Sequence, residues 1–382
     1  MKLFLFMNRK VVGKLFDIDW ILFMALIPIL LGGLFTMNSF SGDNPFFTRQ
    51  IIWISISIIF FFFISQFDFK FLRRTGVVIS LYTISAALLL FLFLTGAIFS
   101  GAQSWFNFGL FAFQPSEFSK LILIILLAKY FSRRHVEIKN IRHILVSGIY
   151  AGLIFLLVLF QPDFGSALII GSIWFGMVFV SGISKKHIAL VFSVAAISVG
   201  LLWGFVFEDY QKNRVMTFIH PLEDIQGAGY NAYQSKITVG SGEVLGKGLG
   251  YGTQSRLKFL PEYETDFIFA AFSEEWGFMG VLLLLLFYGI VIWRIVVNAT
   301  HGATNFEILF GLGLAIMFVA HLFVHIGMNI GIMPVTGITI PFMSYGGSHL
   351  LISFTGLGIL MGMRKYRRGA HRELMSNEFF GI

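Results

Sequence analysis

The chain has 382 residues, 57% of them hydrophobic and only 13% charged, with 47 Phe and no Cys. This composition excludes an ordinary soluble domain, and the absence of Cys excludes disulfides and thiolate metal sites. The net charge of +8 raises nucleic acid as a partner, but the placement of the basic residues argues against it.

Apolar runs of about 20 residues, enough to cross roughly 30 Å of hydrocarbon, recur from end to end. No polar stretch is large enough for a separate soluble domain. The predicted fold class is therefore an all-α integral membrane protein, one polytopic domain over residues 1–382. About ten spans are expected: Ile18–Met37, Arg49–Gln66, Thr75–Ile98, Ser116–Phe131, His143–Phe160, Phe164–Val180, His187–Phe205, Asp266–Val296, Asn305–Ile332 and Gly346–Met363. Met1–Lys14 is mildly basic and leads into a full-length span, so no cleaved signal is expected.

With the N-terminus inside, one set of alternate connections collects the basic residues. These are Lys2, Arg9, Lys10 and Lys14; Lys70, Arg73 and Arg74; Lys129, Arg133, Arg134, Lys139 and Arg142; Lys185 and Lys186; Arg294; and Arg364, Lys365, Arg367, Arg368 and Arg372. The positive-inside rule makes that side, and both termini, cytoplasmic. It also absorbs the basic balance without nucleic acid, since no soluble segment carries a basic stripe with interleaved aromatics.

The opposite side is richer in chemistry. Ser100–Pro115 is aromatic and weakly polar, as suits a loop at the lipid–water interface. Glu117 and Lys120 follow, three residues apart at the start of a helix opened by Pro115 and Ser116, and therefore on one face. Two readings stand open: a self-neutralising structural ion pair, or a pair lining a water-filled cavity that organises an anionic substrate. Gln161 to Gly165 forms a tight turn in which Asp163 can cap the next helix.

Residues 208–265 form a large outer-face loop between spans seven and eight, too long for a passive connection. Its glycines let backbone approach a ligand closely. Gly246-Lys247 fails as a phosphate loop, because Ser241 stands at the required first Gly position and Gly248 replaces the Ser/Thr; a dinucleotide fingerprint fails for want of a preceding strand. What remains is cationic charge able to meet phosphates: Lys212, Arg214, Lys236, Lys247, Arg256 and Lys258.

Asp266 sits where the eighth apolar run begins. Thr265 is expected to cap a helix there, whose positive end would hold Asp266 ionised, either as a solvated helix-start residue or as a proton acceptor or cation ligand. Glu274 and Glu275 lie about 12 Å further along, where at least one must turn into the bundle, and Trp276-Gly277 permits a bend. His321 and His325, one turn apart, could form a metal pair, but with no third ligand evident they read as buried histidines satisfied by neighbours. From Ile332 to His349, the Pro and Gly residues force an irregular connection of the kind tolerated at membrane depth where it lines a cavity.

The runs QPSEFSK (114–120), QPDFGSA (161–167), GAGYNAYQSKITVGSG (227–242), GTQSRLKFLPEYETDFIFA (252–270), EEWG (274–277), NIGIMPVTGI (329–338) and PFMSYGGS (341–348) together resemble the SEDS family of bacterial shape, elongation, division and sporulation proteins. The resemblance covers nearly the whole chain and, within the family, is nearer to the elongation branch, RodA, than to the division branch, FtsW. It implies a peptidoglycan glycosyltransferase that polymerises lipid II at the outer face of the bacterial cytoplasmic membrane during elongation. Asp266 would be general base on the acceptor hydroxyl, with Glu117 and Lys120 beside it as catalytic residues.

The substrate-contacting positions implied are Gln114, Ser116, Asp163, Lys236, Ser241, Lys247, Thr253, Gln254, Glu262, Thr265, Ser344, Tyr345 and Ser348. Glu274, Glu275, His325 and Asn329 would support them. A divalent cation, Mg or Mn, would be held by Asp266, with no nucleotide or organic cofactor. The implied partners are a single-span class B penicillin-binding protein and other elongation proteins. A division polymerase and a lipid II flippase without polymerase activity remain the alternatives. Departures from the family pattern are Ser104 where many relatives have Arg, Trp276 for an aliphatic residue, and His349 for a second small residue.

Overall fold

The computed structural model describes residues 18–39, 45–95, 104–107, 112–133, 141–182, 209–219, 228–257 and 259–379, with scattered positions between 187 and 205. Parts of the seventh expected span and of Ser100–Pro115, Lys2, Arg9, Lys10, Lys14, Arg134, Lys139, Lys185, Lys186 and Lys258, and the side chains of Arg214, Arg367, Arg368 and Arg372 lie outside the described residues.

Helices and the connections between them make up the described chain, with one short hairpin. In order it runs α1 (Trp20–Asn38), α2 (Pro45–Ile64), a 3₁₀ turn (Phe69–Arg73), α3 (Thr75–Thr95), β1 (Phe106–Asn107), β2 (Ala112–Phe113), α4 (Pro115–Ser132), α5 (Ile141–Leu159) and α6 (Phe164–Val180). It continues with α7 (Asp209–Ile219), α8 (Ala228–Ser241), α9 (Thr253–Arg256), α10 (Ile268–Thr300), α11 (Asn305–Ile330) and α12 (Gly347–Phe379). Six of the described helices, α1, α2, α3, α5, α10 and α11, are long and apolar enough to cross a membrane, and α6 is a shorter apolar helix. The long connection 208–265 is not irregular throughout: it carries α7, α8 and α9.

Apolarity on every face predicts burial inside a bundle or exposure to lipid, and neighbours decide which. In α4 every residue of the run Leu121–Ala128 is buried, because α3, α6 and α11 all pack on it. By contrast only 22% of the apolar window of α2 or α3 is buried, against 56% for α11. α11 and α4 are thus central, while α2 and α3 present much of their surface to lipid. α12 packs along α2, and α10 along α1 and α11.

At one end of the bundle, polar clasps tie these layers together. Asp19 caps α1 by accepting from Leu22 N at 3.2 Å, and its other oxygen accepts from Arg294 Nη2 at 2.6 Å and Asn298 Nδ2 at 2.6 Å on α10, with Arg364 Nη1 of α12 at 3.1 Å. Arg73 pairs with Glu307, and Lys129 donates to the Arg73 carbonyl. Burial by itself would push the Asp19 carboxyl up, but the bonds from Arg294, Asn298 and Leu22 outweigh it and hold the group below the usual carboxylate range. A carboxylate depressed in the fold stabilises fully above its unfolded value near 3.8 and loses that contribution as pH falls through the lower native value. Asp19→Ala is therefore expected to cost about 3–5 kcal/mol, leaving Arg294 unpaired. Thermal unfolding should show the wild type losing its advantage over Asp19→Ala only below about pH 4.

The break in α10 sets the other end. Gly277, at φ 65° and ψ −170°, adopts a conformation closed to side chains with a Cβ, so the helical bonds from Phe278 and Met279 back to Glu274 and Glu275 are not made. The outer loop completes all four groups. Lys247 N and Gly248 N donate to the carbonyls of Glu274 and Glu275 at 2.9 and 3.0 Å, while Phe278 N and Met279 N donate to those of Glu243 and Val244 at 2.9 and 3.1 Å. The bend expected at Trp276-Gly277 thus serves as a docking slot for the outer loop.

Candidate functional site

Ahead of α10, residues 260–267 form consecutive turns rather than helix, and the helix starts at Ile268. This corrects two expectations. Thr265 does not cap α10: the cap position is Phe267, which makes no side-chain cap bond, and Thr265 Oγ1 turns instead to Glu262 Oε2 at 3.2 Å. Asp266 therefore precedes the helix rather than opening it. Its backbone is held from below by Asn329, whose Nδ2 donates to Asp266 O at 3.0 Å while its Oδ1 accepts from Ala270 N at 3.2 Å. Ser235 of α8 donates to Asn329 O at 3.0 Å, so three helices fix this one turn.

From that turn the Asp266 side chain reaches a cavity of about 200 Å³, lined also by Glu262, Lys236, Asn231, Thr217 and Gly337. Asp266 Oδ2 lies 3.5 Å from where a Cβ on Gly337 would stand, so the carboxylate lies close against backbone that carries no side chain. Lys236 runs past Gly331, the left-handed cap of α11 at φ 77°; a Cβ there would come within 2.5 Å of Lys236 Cδ. An ammonium and two carboxylates around one small cavity provide a cation for an anionic group and an acceptor for a proton.

The segment following α11 forms one wall. Its course is set by His325, Nδ1 to Ile338 O at 2.6 Å, and by Ser344, which donates to Thr265 O at 2.8 Å and accepts from Ile340 N at 3.0 Å. Tyr345 N donates to Glu264 O at 2.9 Å, and its ring meets Phe46 edge-on. Ser344 and Tyr345 thus brace the turn that presents Asp266.

A model of the cell cycle protein family of FtsW, RodA and SpoVE matches residues 15–369. The chain belongs to that family. It is 36% identical over 367 residues to the peptidoglycan glycosyltransferase MrdB of Escherichia coli K12, covering 94% of this chain and 97% of that protein. It is 33% identical to the stage V sporulation protein E of Bacillus subtilis, over 92% of this chain and 98% of that one. Among solved structures it resembles a chain reported in work on the structural coordination of polymerization and crosslinking by a peptidoglycan synthase complex, with TM-score 0.78 and 28% identity over 91% of this chain and 98% of the other. The rod shape determining protein RodA of Thermus thermophilus matches with TM-score 0.69 and 28% identity over 91% and 97% of the two chains.

Of the contact positions implied by the family motifs, Asp266, Glu262 and Lys236 line the cavity. Four others are engaged elsewhere. Glu274, wholly buried, accepts from Lys247 Nζ at 2.8 Å, Thr253 Oγ1 at 3.2 Å, Gln254 N at 3.0 Å and Ser255 Oγ at 3.1 Å, with Ser241 Oγ at 3.5 Å. Glu275 accepts from Gly250 N at 2.7 Å. Ser241, Lys247, Thr253 and Gln254 thus converge on a buried carboxylate that draws the Gly-rich loop onto α10, because an ionised group out of water gathers whatever donors reach it.

A second group lies at the N-terminal end of α4. Asp163 caps α6 through Ser166 N at 2.9 Å and accepts from Gln114 Nε2 at 3.1 Å, with Ser116 Oγ at 3.5 Å. Ser348 donates to Ala112 O at 2.9 Å, tying the hairpin to α12. Ser104 is buried there, at 3% exposure.

Glu117 and Lys120 pair as expected, Nζ to Oε1 at 2.7 Å, but Lys120 is 0% exposed and neither residue lines the cavity around Asp266. His321 and His349 complete the surroundings of the pair, from α11 and α12. Thr217, Asn231 and Gly337 are cavity residues not singled out as site residues from the sequence, although the family-like runs 227–242 and 329–338 contain Asn231 and Gly337.

Proposed function

We propose that the chain is a peptidoglycan glycosyltransferase of the elongation type, polymerising lipid II at the outer face of the bacterial cytoplasmic membrane, with both termini cytoplasmic. The observation that carries this reading is the cavity in which Asp266, Glu262 and Lys236 meet, at the opposite end of α10 from Arg294 and its basic neighbours. In a chain obeying the positive-inside rule, that end faces outward.

Asp266 acts as general base on the acceptor sugar hydroxyl. The alkoxide oxygen attacks the anomeric carbon of the growing chain as the bond to the polyprenyl diphosphate breaks. Lys236 offsets charge on the departing diphosphate, a role electrostatics favours most where charge develops. Two carboxylates in one cavity fit a hard divalent cation, and Asp266 and Glu262 would hold it. Bound there, Mg or Mn would supply further neutralisation of the diphosphate. Glu117 and Lys120 hold α4 under this region without touching substrate. A single-span class B penicillin-binding protein, working with the elongation complex, would pack on lipid-facing helix surface and the outer loop.

The test is incubation of the purified protein, alone and with its partner, with lipid II. Glycan polymer is expected. Transbilayer movement of lipid II without polymer would establish the flippase reading instead. Gly331→Ala is expected to shift Lys236 and lower kcat about tenfold with less effect on KM, at a stability cost of about 1–2 kcal/mol for a left-handed position. Steady-state kinetics and thermal unfolding of the variant read both numbers.

A further inference from the structure

The clasp between Asp19 and Arg294 gives two packed helices a common origin. α1 leaves it with 19 residues, about 28 Å, and ends at Ser39. α10 runs beside α1, and its stretch from Arg294 back to Phe278 rises about 24 Å. The hydrocarbon layer is about 30 Å thick. Trp293, exposed beside Arg294, marks one edge of it as interfacial Trp residues do, so Phe278 and Met279 lie within the layer and a few Å short of the other edge. Both are more than half exposed, and what they are exposed to is lipid.

The connection that follows α8 is bonded to α10 at that depth. Phe278 N and Met279 N donate to the carbonyls of Glu243 and Val244 at 2.9 and 3.1 Å, and Gly246, at φ 80°, leaves no room for a Cβ against the Glu275 carbonyl. A Cβ on Gly250 would stand 3.3 Å from Ser39 O, at the end of α1. Residues 243–250 therefore climb from the depth of Phe278 to the edge of the layer. The side chains they expose are mostly apolar: Val244 58%, Leu245 82% and Leu249 48%, followed by Tyr251 at 71%.

Irregular backbone survives in hydrocarbon only where protein satisfies its polar groups. Gly242, Glu243, Gly246, Lys247, Gly248 and Tyr251 donate their N–H groups to backbone carbonyls, and Gly250 N donates to Glu275 Oε1 at 2.7 Å. Lys247 Nζ turns inward to Glu274 at 2.8 Å. Glu243, the one charged residue exposed between 243 and 251, has the length to reach the headgroups from this depth.

We propose that residues 243–251 are a membrane anchor, inserted among the acyl chains of the leaflet opposite the Asp19–Arg294 clasp, with Tyr251 at the headgroup boundary. Bilayer lipid is the occupant of this face, because the face continues the lipid-facing surface of α10 through direct backbone bonds. The anchor sets the height of the 208–265 connection against the membrane surface. It rests on the membrane-spanning reading of α1 and α10 and stands independently of the glycosyltransferase chemistry.

The chain has no Cys, so single labels can be placed cleanly. Leu245→Cys carrying an environment-sensitive fluorophore is reconstituted as the full chain in vesicles of phosphatidylcholine and phosphatidylglycerol with brominated acyl chains. Phe278→Cys and Lys70→Cys, whose native side chains face lipid and water, serve as references. Brominated lipid is expected to quench the label at Leu245→Cys as strongly as that at Phe278→Cys and several-fold more than that at Lys70→Cys, with the reverse order for iodide in the water. Thermal unfolding equal to wild type shows that the variants are folded, and Leu249→Cys repeats the measurement should Leu245→Cys not fold. Iodide quenching at Leu245→Cys equal to that at Lys70→Cys would put the loop in water and overturn the anchor. A label reached by neither quencher would mean that a second copy of the chain covers this face, which equally overturns it.

Discussion

Asp266→Asn is expected to lower kcat for glycan polymerisation by about 10²–10⁴-fold, with much less change in KM. Asn has nearly the shape of Asp, so the turn held by Asn329 and Ser344 survives and the cavity keeps its walls. What disappears is the acceptor for the sugar proton, a loss felt in the transition state and little in substrate binding. Lys236 remains to meet the diphosphate. The informative companion is Glu262→Gln on the same cavity. If Asp266→Asn keeps full polymerase rate while Glu262→Gln loses it, the base is Glu262 and the assignment made here fails. Polymer length on a gel and the initial rate at saturating lipid II separate these outcomes, and an unchanged melting profile shows that chemistry rather than folding was lost.

Glu274→Ala is expected to cost about 3–5 kcal/mol and to release the outer loop from α10. The carboxylate gathers donors from Lys247, Thr253, Gln254 and Ser255, and its removal strands the Lys247 ammonium beside a buried hole. Glu274→Gln recovers only part of this, since an amide presents an NH₂ where donors already crowd. Because Gly277 has already broken the helix, the loop's backbone bonds to Glu274 and Glu275 then hold alone. Limited proteolysis should cut the variant between residues 242 and 257 at a protease level that spares the wild type. Resistance equal to wild type would show that the backbone exchange suffices and that the carboxylate is dispensable.

Much of the fold was legible because the hydrocarbon layer acts as a one-dimensional filter. A run of apolar residues of sufficient length must be helical there, so the limits predicted for α1, α6 and α11 lie within a few residues of those observed. Local chemistry was legible as well: Asp163 caps α6, and Glu117 pairs with Lys120 one turn away. The same local reasoning failed at Thr265, where a cap residue followed by an apolar run promised a helix. Glu264 and Thr265 instead spend their carbonyls on Tyr345 N and Ser344 Oγ from the far end of the chain, and the helix waits until Ile268. For Lys247, Thr253 and Gln254, motif membership suggested substrate contact, whereas a buried carboxylate 20 or more residues away had a stronger claim on them.

His321 illustrates the limit most sharply. It was set beside His325 because helical spacing relates residues one turn apart, and no third ligand was evident in the surrounding sequence. Its partners come instead from α4 and α12, with His349 reaching Glu117 across 232 residues. Asp19 likewise finds Arg294 across 275 residues. The sequence by itself determined the solvent this chain lives in, its helical class, its family and the one turn where a carboxylate meets the edge of an apolar run. Only the tertiary structure decided which charges belong to substrate and which to the frame. A charge withdrawn from water takes the partners that packing brings within reach, and packing joins helices whose residues have no proximity in sequence.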